Sequence, residues 1–438
     1  MLLHRQKGAG AEMSILYRNS SGKDVTHSSY SSRQTFKHCP RQFKLERIDG
    51  WSDKAQRAAP LFGKCIEAGL QAYEESGRTA ASGVKVFSRL WEEVKMIPDF
   101  DKLIYTATEV SFDQLMRTGQ QLMRLYELRA PHLPIYKPVF QQKIRKTIFP
   151  GTNLANIENV AVLDILSFAP WNHKMLPKAA VDMTCADCAT RWSCSLEADG
   201  PPFSPCNEHI TRELIIDVKT SGKDFPTDLV ALDPQLAEYA WQTRIPDVAF
   251  LWFVKSSHGL KRESRVSLLK DYSVGGDKFW AGWEGVVVDV GDADADGRCW
   301  VYIGDRAASD EYYASIKDLR GKARTAAEKE GLDKGRAEGR IIAVSDLDVT
   351  KQKIQFAAAR LTDDDMDEVG RSVAQTTVEM VRAHEQDFYE KSPGVRFPNE
   401  KCGFCSMRHI CLHRSEERDK NLTRRGEEWL DGNDSEVE

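Results

Sequence analysis

Four apolar segments of strand length, at residues 139–148, 160–168, 213–220 and 248–254, constrain this chain more than any other feature. A helical segment, Pro234 to Thr243, precedes the last of them. Strand and helix periods together predict an α/β core. The part before residue 138 reads as mainly helical. A Ser-rich turn leads into Phe36, Cys39, Phe43 and Leu45, with Arg33, Lys37, Arg41, Lys44 and Arg47 interleaved, which predicts a short helix with a basic face. Further helices are expected over about 60–75, 112–128 and 364–390.

Two stretches break this skeleton. Residues 169–212 are rich in Cys and Pro and poor in apolar periodicity, and residues 256–348 read as a further insertion. Within the second, the charged run 317–340 predicts a solvated helix to which no chemistry is assigned. Residues 1–27 are expected as a disordered tail, 28–413 as one domain holding both insertions, and 414–438 as a charged, frayed tail.

A chain of 438 residues with 41% hydrophobic and 29% charged side chains buries a sizeable core, so wholesale disorder is excluded. Its net charge of -5 argues against a general polyanion binder, so nucleic-acid contact must come from a local basic surface. No run approaches the ~20 apolar residues of a membrane span, and the N-terminus lacks a signal peptide's apolar core, so a cytoplasmic location is expected. Ten cysteines in a reducing compartment ask first for a metal.

The segment Glu213-Leu-Ile-Ile-Asp217-Val218-Lys219-Thr220 puts an acid and a lysine two apart at the end of an apolar strand, hence on one face. Upstream, Asp164 is a single acid within the apolar run Val160-Ala-Val-Leu-Asp-Ile-Leu. Two carboxylates brought together repel unless a cation neutralises them, and a divalent metal is the natural resolution. Phosphodiester hydrolysis needs such an ion, together with a nearby cation to orient the nucleophile or steady developing charge. Taken alone, Asp-x-Lys is common and usually marks a solvated strand edge.

An acid on one strand followed by acid-x-Lys on the next resembles the PD-(D/E)XK nucleases. Gln235 and Tyr239, one helical turn apart in Asp233-Pro-Gln-Leu-Ala-Glu-Tyr, resemble the QxxxY helix of RecB-type members; the other reading is ordinary helix packing. Gly63-x-x-x-Glu67 falls where those enzymes carry Gly-x-x-x-His, the His being a metal ligand. A carboxylate can replace imidazole on Mg2+ or Mn2+, and the alternative for Glu67 is a helix-surface acid.

Cys402, Cys405 and Cys411, with two and then five residues between them, are three thiolates that want a fourth, and Cys39 in Cys-Pro-Arg-x-Phe is the candidate. This pairing resembles iron–sulfur RecB-type nucleases, including CRISPR-associated exonucleases, in which one early and three late cysteines hold a [4Fe–4S] cluster. Zinc is the alternative for the triad, and a buried free thiol for Cys39. Cys185, Cys188 and Cys194 repeat the spacing, and Cys206 and His209 follow. That group favours a structural zinc knuckle, with a second cluster or scattered unliganded thiols as alternatives. Cys65 and Cys299 read as core residues.

The resemblance implies a restriction-endonuclease-like α/β core, a central mixed sheet flanked by helices, with an iron–sulfur-stapled C-terminus. It implies a DNA exonuclease acting on single strands or frayed ends in recombination, repair or CRISPR-type processing. Asp164, Asp217 and the Val218 carbonyl would hold the metal, with Glu67 as a third side-chain ligand and Lys219 beside the water. Arg33, Lys37, Arg41 and the 143–146 segment would guide phosphates, surface solubility being the alternative. No Gly-x-x-x-x-Gly-Lys-Ser/Thr loop occurs, so unwinding would fall to a helicase or recombination partner. Asp292-x-Asp294-x-Asp296-Gly297 imitates an EF-hand start but has Ile303 at the twelfth position, so it reads as an acidic turn. The rival from another class is a catalytically silent, nuclease-like DNA-binding or scaffold subunit. A redox or zinc-binding regulator would leave Asp164, Asp217 and Lys219 unexplained.

Overall fold

Leu214, Ile216 and Val218 face one hydrophobic core and Ile215 faces another, the alternation required of a strand buried on both sides. The structure is a computed structural model. It describes residues 15–177 and 211–424, less 20, 55, 80–81, 98–99, 106–110, 153 and 171–172 in the first stretch. In the second, 257–259, 261–263, 275–276, 291–297, 304–318, 338–340, 346–347, 392–401 and 403–404 are likewise left out.

The central sheet comprises β1 (His27–Ser28), β2 (Tyr136–Thr147), β3 (Glu158–Pro170), β4 (Thr211–Ser221), β5 (Asp247–Val254) and β6 (Lys353–Arg360). Its order is β6-β5-β4-β3-β1, with β2 also paired to β3. The sheet is mixed: β4 and β5 are parallel, as are β1 and β3, and the other pairs are antiparallel. β6 escaped the sequence reading because Phe-Ala-Ala-Ala has no strand preference of its own. It is a strand because it pairs with β5 along its whole length, from Lys353 opposite Val254 to Arg360 opposite Asp247.

Helices cover both faces. Two N-terminal ones are α1 (Tyr30–His38), opened by a Ser29/Ser32 capping box, and α2 (Ala58–Glu75). They are followed by α3 (Ser82–Glu93), α4 (Phe112–Arg129), α5 (Pro234–Thr243) and α6 (Asp363–Glu385). α2, α3 and α4 pack on the Ile216 side around Phe62, Phe87, Trp91 and Tyr126. α1, α5 and α6 pack on the Ile215 side around Phe36, Leu236, Trp241 and Met380. α5 spans the expected residues because Asp233 caps it, its Oδ1 accepting from the Gln235 and Leu236 amides, and Pro234 occupies the first turn.

Two expectations about the ends are corrected. Within residues 1–27, Leu16 is buried, Tyr17–Arg18 pairs with Asp24–Val25, and His27 enters the central sheet, so the segment from Ile15 onward is not a tail. Past residue 414, Ser415–Asn421 is helical and Leu422–Arg424 pairs with Trp51–Asp53, which joins the two ends of the described chain. The second insertion also has order of its own. It forms a five-stranded antiparallel sheet around Val266, Leu268, Val287, Val301 and Val344, and the charged run folds as the helix Gly321–Ala337. Among the described residues no helix is long and apolar enough to cross a membrane.

Candidate active site

β3 and β4 pair from Ile165/Ile216 to Pro170/Thr211, and one step further along that register would set Asp164 opposite Asp217. The ladder ends there. In place of the next rung, the Val218 amide donates to Asp164 Oδ2 at 2.8 Å. The two acids therefore sit where their strands part, and period two returns Lys219 to the Asp217 face.

Asp217 is 1% exposed, and Lys219 Nζ forms an ion pair with its Oδ2 at 2.6 Å. Its Oδ1 has no hydrogen-bond partner among the described residues. Burial, reinforced by Asp164, pushes the Asp217 carboxyl up to about 8. Burial also raises Asp164, against the opposing Val218 amide bond and the Lys219 charge. On α2, Glu67 is pushed up to about 7 by burial and then by Asp164, with Lys219 and Lys64 opposing. Three acids from three elements thus share one electrostatic environment, and each resists ionising in it.

Lys219 is positioned by α5. Its Nζ donates to Gln235 Oε1 at 3.1 Å, and Gln235 Nε2 donates to the Tyr239 hydroxyl at 2.6 Å. Burial works against the ammonium, but Asp217, Asp164 and Asp233 together outweigh it, so the pKa of Lys219 lies above its usual range. α2 lies against β4 at Gly63, where a Cβ would stand 3.5 Å from Thr220 Oγ1, an ordinary van der Waals contact that does not itself require glycine.

Of these groups Glu67, Gln235 and Tyr239 line a cleft of about 1110 Å³, whose walls also include Tyr30, Lys64 and Gln141. Lys64 and Gln71 lie three residues before and four after Glu67, hence on the same face of α2, a spacing from which they could have been found. Tyr30 gives no such signal in the sequence. Its hydroxyl is pushed up to about 12 by burial and by Asp233, Glu238 and Asp217. Gln141 has a left-handed backbone, φ 51, at the rung beside Asp164.

The phosphate-guiding expectation is corrected for Arg33, which is 2% exposed. Its guanidinium donates to Ser28 Oγ and to Glu238 Oε1, and Asn159 Nδ2 donates to the same Glu238 oxygen at 3.1 Å. Lys146 is likewise engaged, donating to the Trp241 carbonyl at 2.6 Å with its ammonium over that indole. Lys37 reaches Ser372 on α6 at 3.0 Å, and Arg41 stands near Cys411. The cations bordering the cleft are Lys64, Arg47 and Lys143.

Cys39 caps the short helix Pro40–Phe43, its Sγ accepting from the Gln42 amide. Cys39, Cys402, Cys405 and Cys411 are in no disulfide among the described residues. Cys405 is pushed up to about 11 by burial, with Cys411 and Cys39 adding to the effect, and Cys411 is raised by burial and by Cys39 and Cys402. The fold therefore brings the early cysteine within electrostatic reach of the late ones, around a small core of Leu45, Met407 and Leu422. Cys185, Cys188, Cys194, Cys206 and His209 lie outside the described residues, as does the acidic turn 292–297.

Among the described residues, no three His, Cys, Asp or Glu side chains converge closely enough to hold a metal ion as they stand. The chemistry of the acid group nevertheless fits a divalent cation. A buried carboxylate with an unpartnered Oδ1, beside two further acids with raised pKa values and only Lys219 against it, is what a cation would neutralise.

A mixed sheet between helical layers, with acid and acid-x-Lys side by side where two strands diverge, is compatible with a PD-(D/E)XK core. Residues 27–133 match the family model of the PD-(D/E)XK nuclease superfamily, and the match supports assigning the chain to that superfamily. Its members are generally nucleases, hydrolases that act on nucleic acid and commonly use Mg2+ or Mn2+. The matched segment carries Cys39, Gly63 and Glu67 and ends before Asp164, Asp217 and Lys219. No curated protein matches the chain.

Proposed function

We propose that the chain is a metal-dependent DNA exonuclease acting on single strands or frayed ends. The observation that carries this reading is Asp217, a buried acid ion-paired to Lys219 through Oδ2 and with Oδ1 unpartnered, beside Gln235 and Tyr239 in the wall of the cleft. Asp164, Asp217 and the Val218 carbonyl would hold Mg2+ or Mn2+, with Glu67 as a further ligand. The ion would supply polarisation of the phosphate and activation of water. Lys219, fixed by Gln235 and Tyr239, orients the attacking water and offsets charge developing on the phosphate. Lys64, Arg47 and Lys143 draw the phosphate backbone into the cleft.

We further propose that Cys39, Cys402, Cys405 and Cys411 hold a [4Fe–4S] cluster of the RecB-type, CRISPR-associated kind, with zinc as the competing metal. Their mutual proximity and the pairing of Trp51–Asp53 with Leu422–Arg424 support a staple between the chain's two ends. A zinc site at Cys185, Cys188, Cys194 and Cys206 belongs to the same proposal, as do a cytoplasmic location, a helicase or recombination partner and a role in DNA repair or recombination.

The silent-scaffold reading has one observation in its favour, that no three ligating side chains converge among the described residues. Incubating the protein with single and double strands labelled at either end, in Mn2+, Mg2+ or EDTA, separates the two. Metal-dependent shortening from an end supports the exonuclease, internal cuts make it an endonuclease, and intact substrate in every metal supports the scaffold.

A further inference from the structure

The second insertion leaves the central sheet beside the acids. β5 ends at Val254, paired with Ser221, and the Lys255 amide donates to the Ser221 carbonyl at 2.6 Å. Lys219 lies opposite Trp252 on the same strand pair. The inserted sheet is then fastened to α4, where Thr350 Oγ1 donates to Gln121 Oε1 at 3.1 Å and Arg129 Nη2 meets Glu284 Oε1 at 3.3 Å.

On this sheet the segment Trp280-Ala281-Gly282-Trp283 forms a turn with Gly282 at φ 89, a left-handed conformation natural to glycine. Four hydrogen bonds fix it. The Trp283 amide donates to the Trp280 carbonyl at 3.1 Å, Gly282 to Leu268 at 2.8 Å, Leu268 to Trp283 at 2.9 Å, and Ala281 to Asp271 Oδ1 at 2.8 Å. The turn holds out two indoles, Trp280 at 50% and Trp283 at 43% exposure, and Trp283 is braced edge-on by Phe279 with ring centroids 6.0 Å apart. Lys278 stands 5.8 Å from the Trp280 ring centroid and makes no ion pair among the described residues. Lys270 lies 5.2 Å from the ring of Tyr272, although Asp348 offsets its charge at 2.6 Å.

Two large aromatics left half in water on a backbone pinned from both sides gain little by burial, and their fixed geometry suits them to a flat partner. Cations beside the rings suit a partner that carries negative charge next to its flat groups. Unpaired bases on a phosphate backbone have both properties, whereas duplex bases hide their faces from such a platform. We propose that the Trp280–Trp283 turn, with Lys278 and Lys270, is a second binding surface for single-stranded nucleic acid, which it holds by stacking outside the cleft. The insertion that carries this turn leaves the central sheet at the end of β5, the strand paired with the one that bears Lys219. The choice of ligand rests on the nuclease reading; the surface itself does not.

The test is binding of a fluorescently labelled oligothymidylate to the full chain in EDTA, followed by anisotropy, for the wild type and for W280A, W283A, K278A and W280F. Each Trp→Ala change is expected to weaken binding about tenfold and K278A by less, while W280F retains most of the affinity. Melting temperatures within a few degrees of the wild type confirm that the variants are folded. Unchanged affinity in both Trp→Ala variants overturns the platform, as does an equal loss for duplex and single strand. A change of oligomeric state without a change in strand binding would also overturn it, making the turn a contact between copies. A wild type that cleaves DNA while the Trp variants bind normally sinks only the platform. A wild type that binds through the turn yet cleaves nothing in any metal sinks only the nuclease.

Discussion

The amide of Val218 donates to Asp164 Oδ2 at 2.8 Å, so the backbone that joins Asp217 to Lys219 is clamped to the acid of the neighbouring strand. One hydrogen bond thereby sets the register between the two halves of the candidate metal site. It uses a single oxygen of Asp164, while on the neighbouring strand Lys219 stands against Asp217 Oδ2 and leaves Oδ1 without a hydrogen-bond partner.

The raised carboxyls make stability depend on pH in a definite direction. Asp217 titrates at about 8 and Glu67 at about 7 in the folded chain, whereas unfolded carboxyls titrate near ~4. Between those values the folded state holds protons that the unfolded state has released, so these groups cost stability as pH rises from about 5 to about 8. In EDTA the D217N variant should therefore gain melting temperature relative to the wild type across that range. Mn2+ should stabilise the wild type more at the upper end, because its ligands must be deprotonated. Difference melting curves that stay flat with pH and metal would show that Asp217 does not titrate as described.

Arg33 is an interior strut, and its loss should be felt in folding. R33A would leave the Glu238 carboxylate buried without its cation, at a cost of ~3–5 kcal/mol, measurable by chemical denaturation. Replacing both partners by leucine should recover much of that loss. A stable R33A protein with weakened DNA affinity would instead restore Arg33 as a phosphate contact.

The contrast between Arg33 and Asp217 shows what the chain's letters carry. Acid-x-Lys alone is common, but a second lone acid in a neighbouring apolar strand narrows its meaning, so the meeting of Asp164, Asp217 and Lys219 is legible in the sequence. A basic residue on a short helix admits two meanings, because helix periodicity does not say which neighbour covers which face. Arg33 lies three residues before buried Phe36, on the same side of α1, and its partner Glu238 comes from a distant helix. β6 is hidden for a related reason, since its Ala-rich run has no strand preference and is fixed by pairing with β5. The inserted strands Glu284–Val290, Arg298–Ile303 and Ile341–Ser345 are rich in Val and Ile and do carry a local strand signal, although the stretch as a whole reads as an insertion.

The cysteine proposal predicts shared loss. If one cluster joins Cys39 to the late triad, C39A and C405A should bleach a brown protein alike and lower its iron content together, since either change leaves the same cluster under-coordinated. C188A should release zinc and spare the colour. Full iron in C39A together with its loss in C188A would place the cluster in the insertion, and zinc in place of iron at the late triad would make the staple a zinc site.

The most direct test of the central claim is cleavage of end-labelled single-stranded DNA in Mn2+ by the wild type, D217N and K219A side by side, with folding checked by thermal melts. The account predicts metal-dependent hydrolysis by the wild type and a fall on the order of 10²-fold or more in each variant, while both stay folded. Cleavage at the wild-type rate by either variant would contradict it.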